Sequence, residues 1–424
     1  MIFVYRLLFF LVSPILILRN LPKIFKRGGY GKNFKHRLGL FPFLPKSQKK
    51  RLWIQAVSVG EVNAIIHLIS LLSRKYEIVL TTTTPTACKI IEEKVSKNIL
   101  FHGYFPWDFW LFSWIAWRQI QADAIILVDS ELWPEHLTRA KRQKIPIFLI
   151  NARLSDHSFY WYQKFPLFAR WIFKKLDFII TSSEDNREKI ATFYNKTIEY
   201  FGNLKFDISV ALLSPKERKT LKIELGFAED AFVIIGCSTW LGEEALLLKA
   251  FREICNNNET KHSFALLLVP RHAERRHELV EWLGNEKVSF WQRSKGIANK
   301  SFNICLADTT GELPQLIQVA DLAYIGKSLA PHKGGQSPLD AAMAEIPIIY
   351  GNRMTNFRDI CEQLEQKNAA IKVTNEKEAI EQLMALSFNT QKRIILTNNI
   401  GNWFKHNQGI SEKIYHFIQN KLGY

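Results

Sequence analysis

No aspartate or glutamate occurs among the first sixty residues of this 424-residue chain; Glu61 is the first. Lysine and arginine are frequent over the same stretch, so the N-terminal segment is strongly basic. Cysteine is scarce. The five residues, Cys88, Cys237, Cys255, Cys305 and Cys361, form no C-x-x-C pair, which argues against a disulfide framework and a thiolate zinc site and makes a reducing compartment the simplest reading. Walker A and G-x-G-x-x-G sequences are both absent, so ATP hydrolysis and nicotinamide chemistry lose their usual phosphate cradles. The eleven histidines include no H-E-x-x-H pattern, and there is no RNA-recognition sequence, repeat or low-complexity tract.

What is present begins with an apolar run, MIFVYRLLFFLVSPILIL, broken only by Arg6, Ser13 and Pro14. Arg19, Lys23, Lys26, Arg27, Lys32, Lys35 and Arg37 follow it. As a helix, Ile2 to Leu18 is about 26 Å long, just short of a roughly 30 Å hydrocarbon core. Residues 1–19 therefore read as a membrane anchor that spans the bilayer or lies in one leaflet. Positive charge after the run, with no small-x-small cleavage site, argues against a cleaved signal peptide and places the rest of the chain in the cytoplasm. The formal charge of +17 then reads as attraction to an anionic membrane surface before it reads as a nucleic-acid surface. Two aromatic stretches, Tyr104–Trp117 and Phe159–Phe173, suit a headgroup boundary, with aromatic core helices as the alternative.

The length suits two domains of about 200 residues. Strand patterns at Leu52–Val57, Ile78–Thr82, Ala124–Val128, Ile145–Ile150, Phe178–Thr181 and Ile198–Phe201 alternate with helical ones, which predicts a parallel sheet covered on both faces. FGNLKFD, from Phe201 to Asp207, interrupts the pattern. A second series follows in AFVIIGCST, HSFALLLVP, FNICLAD, DLAYIGKS, IPIIYG and NAAIKV. The fold class is α/β, with two doubly wound Rossmann-like domains, residues 20–205 and 206–424, and a terminal helical stretch from about Glu376 to Leu422 packing back across the boundary. Ligands of open α/β sheets bind beyond the carboxyl ends of the strands, so motifs there carry most weight.

Glu61 in VSVGE opens a helix directly after a strand, as a first-turn acid or as a base in a cleft. LVPRHAERR ends a strand at Pro270 and places Arg271 where an anion could sit. DTTGEL repeats the geometry with Thr310, Gly311 and Glu312. In GGQSPLD, Ser337, Pro338, Leu339 and Asp340 follow paired glycines, and Pro338 suits a first helical turn. Asp129 and Glu131 in VDSELWPE form an acidic pair that could mimic the D-x-D of metal-dependent sugar transferases, although alone they make a thin magnesium site.

Together, VSVGE, SELWPE, NARLS, GNLKFD, PRHAER, TTGEL and GGQSPLD, in that order over nearly the whole chain, resemble the 3-deoxy-D-manno-octulosonic acid (Kdo) transferases of lipopolysaccharide synthesis, glycosyltransferase family 30. The resemblance implies a GT-B fold, with two domains facing a central cleft, and inverting transfer of Kdo from CMP-Kdo to the lipid A precursor at the inner membrane. It implies no metal or cofactor and no nucleic acid. By the same resemblance Glu61 is the proton acceptor, Glu131 and Lys205 assist the transition state, and CMP is held by Pro270 and Arg271, by Thr310, Gly311 and Glu312, and by Ser337, Pro338, Leu339 and Asp340. The family's G-G-H-N-P-L-E stands here as GGQSPLD, with shorter side chains at Ser337 and Asp340.

Overall fold

The computed structural model describes residues 1–13, 31–45, 47–259 and 262–423. It divides into two compact units, Met1–Ile208 with Gly409–Tyr424, and Ser209–Gln408.

The first unit holds a seven-stranded sheet of β1 (Arg51–Gln55), β2 (Glu77–Thr82), β3 (Phe101–Tyr104), β4 (Ala124–Val128), β5 (Ile147–Ala152), β6 (Phe178–Thr181) and β7 (Ile198–Tyr200). Every pair is parallel, in the order β3-β2-β1-β4-β5-β6-β7. Successive side chains of a strand point to opposite faces, and the two faces here have separate apolar cores. Leu52 and Ile54 join Ile65, Leu68 and Ile126 on one side, whereas Trp53, Ile125 and Leu127 join Trp117, Leu137 and Phe173 on the other. Burial on both faces explains why these strands read as continuous apolar runs.

The second unit repeats the plan with β8 (Phe232–Thr239), β9 (Phe264–Pro270), β10 (Trp291–Gln292), β11 (Ile304–Leu306), β12 (Leu322–Ile325), β13 (Ile348–Gly351) and β14 (Ile371–Val373). The order is β10-β11-β9-β8-β12-β13-β14, again parallel. The strand motifs of both series are recovered. The four-residue β3 and two-residue β10 escaped the sequence reading because each is short and carries polar residues.

From Glu376 the chain forms three helices, of which Glu376–Phe388 and Thr390–His406 belong to the second unit and Ile410–Leu422 to the first. Ile410, Ile414, Ile418 and Leu422 recur every fourth residue and bury one stripe against the helix Val59–Leu72. Asp207 holds the start of this last helix by accepting the N–H groups of Gly409, at 2.8 Å, and Ser411.

The anchor expected over residues 1–19 is corrected in part. Residues 2–13 are helical, about 18 Å at 1.5 Å per residue, and residues 14–19 lie outside the described residues. No described helix is long and apolar enough to cross a membrane. The two aromatic stretches are amphipathic: Trp117, Ile172 and Phe173 are core residues, while Trp110, Trp114, Tyr160, Trp161 and Leu167 are exposed.

Ile414 has no solvent exposure, so Ile414→Ala should remove about 2–5 kcal/mol from the stability of the first unit. Urea unfolding followed by tryptophan fluorescence measures this; a loss below about 1 kcal/mol would mean that the last helix is not part of that core.

Candidate active site

In each unit the first strand of the sheet lies between two strands reached by chain running in opposite directions. In the first unit that switch point falls between β1 and β4. The loop after β1 delivers Glu61 and the loop after β4 delivers Asp129 and Glu131, so the crevice left at the carboxyl edge collects carboxylates.

Ser58 caps the helix Val59–Leu72: its Oγ accepts the Glu61 N–H at 3.3 Å. The Glu61 carboxylate in turn accepts the Ser58 hydroxyl at 2.8 Å and the Val57 N–H at 2.7 Å. Glu61 is thus a capping acid, which fixes its orientation without excluding chemistry. Burial, and then the charge of Asp129, raise its pKa; the Val57 and Ser58 hydrogen bonds and Lys205 oppose the rise.

Asp129 sits at φ +60, in the left-handed region that aspartate and asparagine tolerate better than most residues. Asn151, also left-handed, donates Nδ2–H to Asp129 Oδ1 at 2.6 Å and accepts the Leu204 N–H at 2.9 Å. That second bond brings Lys205 to the cluster from FGNLKFD. Burial raises the Asp129 pKa against the pull of Arg153, Asn151 and Lys205. Glu131 accepts the indole N–H of Trp133 at 2.7 Å. Burial, and then the charges of Glu61 and Asp129, push its pKa up to about 7, with the Trp133 hydrogen bond working against them. The structure therefore brings Glu61, Glu131 and Lys205 together and adds Asp129, Asn151 and Arg153. Asp129 had been noticed only as half of a metal pair, and Asn151 and Arg153 only as part of NARLS. Among the described residues no group of three or more His, Cys, Asp or Glu is placed to hold a metal.

In the second unit the remaining candidates follow the carboxyl ends of β9, β11 and β12, and the sheet's own switch point falls between β8 and β12. Pro270 ends β9, and the exposed Arg271 donates its N–H to the Thr239 carbonyl of neighbouring β8 at 3.1 Å. Thr310 and Gly311 are exposed, and Gly311 adopts φ +88. Glu312 accepts the Thr309 hydroxyl and pairs with Arg293 at 3.2 Å. Gly334 and Gly335 take φ +103 and +72, where a Cβ would strike Asn356 or Met354. Their N–H groups bind the carbonyls of Arg353 and Lys327, which shapes the approach to Ser337–Asp340.

The helices here are shorter or later than the sequence suggested. The helix after Arg271 starts at Arg276, that after Glu312 spans Leu313–Leu316, and that after Pro338 spans Leu339–Met343 with Pro338 as its cap. The helices Leu313–Leu316 and Leu339–Met343 are too short to have much macrodipole. Sequence reasoning missed Glu243. Buried beneath this edge, it accepts the N–H groups of Trp240 (2.9 Å), Lys327 (2.7 Å) and Ser328 (3.2 Å), tying the loops after β8 and β12 together. The acidic pair opening its helix was the available signal.

Residues 32–208 match the family described as 3-Deoxy-D-manno-octulosonic-acid transferase (kdotransferase). A 3-deoxy-D-manno-octulosonic acid transferase of Aquifex aeolicus is 30% identical over 81% of this chain and 89% of its own length. The chain belongs to the Kdo transferase family. It is a glycosyltransferase. The Haemophilus influenzae transferase is 28% identical over 93% of both chains. Among solved structures, Anabaena Alr3699/HepE in complex with UDP-glucose aligns with a TM-score of 0.60 at 14% identity, over 88% of this chain and 99% of that one. That likeness shows the fold alone, a GT-B-like pairing of two parallel α/β sheets.

Because the pKa of Glu131 is raised, its proton is held more tightly in the folded chain than in the unfolded one, and stability falls as pH rises from the unfolded pKa of about 4.3 through about 7. The melting temperature of Glu131→Gln relative to wild type should accordingly climb between pH 5 and pH 8. A difference that stays flat over that range would mean that burial and its carboxylate neighbours do not raise the proton affinity of Glu131.

Proposed function

We propose that this chain transfers Kdo from CMP-Kdo to the lipid A precursor, inverting the anomeric centre, at the cytoplasmic face of the inner membrane. The observation that carries the chemistry is the position of Glu61: a fixed carboxylate of raised proton affinity, at a switch point, beside Asp129 and Lys205. Family membership supports Kdo as the sugar. Displacing CMP from the anomeric carbon requires removal of a proton from the attacking sugar hydroxyl, and Glu61 is the base. Glu131, when ionised, offsets the positive charge that develops at the sugar ring, and Lys205 offsets the negative charge that the leaving phosphate gains. Arg271, the backbone N–H groups of Thr310–Glu312 and the segment Ser337–Asp340 receive the CMP phosphate, and Asp340 the ribose. The reading calls for no metal or cofactor.

Two variants test the assignments separately. Glu61→Gln preserves size but cannot take a proton at neutral pH; it should lose at most about 1 kcal/mol of stability with the capping contact and lower transfer at least about 10²-fold. Transfer from CMP-Kdo to the lipid A precursor is followed at matched folded concentrations, and near-normal turnover would leave Glu61 as a cap alone. Arg271→Ala should weaken CMP binding by about 1.5–3 kcal/mol in calorimetry. An unchanged affinity would move the nucleotide elsewhere.

A further inference from the structure

Within the helix over residues 2–13 the partly buried positions are Ile2, Tyr5, Arg6, Phe9 and Ser13, a spacing that marks one face. From it Tyr5 Oη donates to Asp108 Oδ2 at 2.7 Å, and the Arg6 guanidinium grips both Glu135 oxygens at 2.6 and 3.0 Å. Both carboxylates are buried in the first unit. The rest of the circumference is apolar and open to solvent, with Phe3 75%, Leu7 62%, Phe10 66% and Leu11 59% exposed.

These pairings bear on how the helix meets a bilayer. If it crossed, with Arg19 and the basic run after it on the cytoplasmic side, Arg6 would lie about 20 Å from Arg19, in the far half of the membrane. Glu135 belongs to the helix Pro134–Arg142 of the first unit, so Arg6 cannot be there and paired as well. Gly31 is back in the same unit only 25 residues after Arg6, too few to cross and return, since each crossing takes about 20. Around the clamp the charge is positive: Arg139, Arg142 and Lys175 lie within electrostatic reach of Glu135 or of one another. Two residues beyond Asp108 begins the helix Trp110–Ile120, which exposes Trp110 and Trp114.

We propose that the N-terminal helix lies in the plane of the membrane as a one-leaflet insert, clamped to its unit by Tyr5–Asp108 and Arg6–Glu135, with its apolar face among the acyl chains and Arg139, Arg142 and Lys175 on anionic phospholipid headgroups. This rests on the reading that the acceptor is a membrane lipid, and adds to it that the helix orients the unit on the surface.

The test uses the full chain with an epitope tag at each end, in inverted inner-membrane vesicles whose cytoplasmic face is outward. Protease should remove both tags without detergent; an N-terminal tag that survives until detergent opens the vesicles overturns the proposal. In parallel, Leu7→Glu with Leu11→Glu should reduce flotation with phosphatidylethanolamine–phosphatidylglycerol vesicles at least tenfold, at an unchanged melting temperature. Flotation equal to wild type, or equally strong on pure phosphatidylcholine vesicles, counts against it. Transfer to acceptor dispersed in detergent is the separate readout: its loss in wild type would refute the transfer reading, whereas a failed topology or flotation result with transfer intact would refute only the in-plane insert.

Discussion

A parallel sheet wound outward in both directions from one strand cannot close its carboxyl edge where the chain reverses, because the two connecting loops there leave in opposite directions. Everything chemically distinctive about this chain depends on that gap. In the first unit the loops after β1 and β4 deliver Glu61, Asp129 and Glu131 into it. All three carboxylates are partly desolvated, Glu61 and Glu131 also feel neighbouring carboxylate charge, and each accordingly holds its proton more tightly than in water. The arrangement is tolerable because polar partners are built around it. Asn151 and Trp133 donate hydrogen bonds, Lys205 and Arg153 supply positive charge, and two residues accept left-handed backbone conformations to reach their places. Left-handed backbone at Asp129 and Asn151, at the edge where these charged groups meet, is the kind of local strain found at reactive sites.

The second unit uses the same gap differently. There the loops are held down by backbone hydrogen bonds and by the buried Glu243, and they carry the left-handed glycines Gly311, Gly334 and Gly335 and the exposed Arg271. One edge concentrates negative side chains suited to taking up a proton; the other offers donors suited to a phosphate. A transfer from a nucleotide sugar needs both functions, and family membership makes that division of labour intelligible.

Much of this was legible beforehand for a physical reason. Strands buried on both faces must be continuously apolar, so twelve of the fourteen could be read from patches such as AFVIIGCST and HSFALLLVP. Residues at strand ends could be nominated because the fold class makes those ends the place for ligands. What escaped depends on contacts distant in sequence. Nothing local to NARLS announces that Asn151 bridges Asp129 and Leu204, and the acidic pair in GEE marks a helix start without naming the loop, more than eighty residues away, that Glu243 holds. The apolar run at the start gave length and hydropathy, which cannot distinguish a crossing helix from one lying flat. The pairing of Arg6 with Glu135 adds the missing direction.

The central claim is that Asp129, together with burial, raises the proton affinity of Glu61, the proposed base. The pH dependence of kcat/KM for transfer, measured for wild type and Asp129→Asn, tests it most directly, since its acidic limb reports protonation in the free enzyme. The charge of Asp129 raises the Glu61 pKa, so its removal should move that limb to lower pH. A limb that stays in place, in a variant that remains folded and active, would contradict the account.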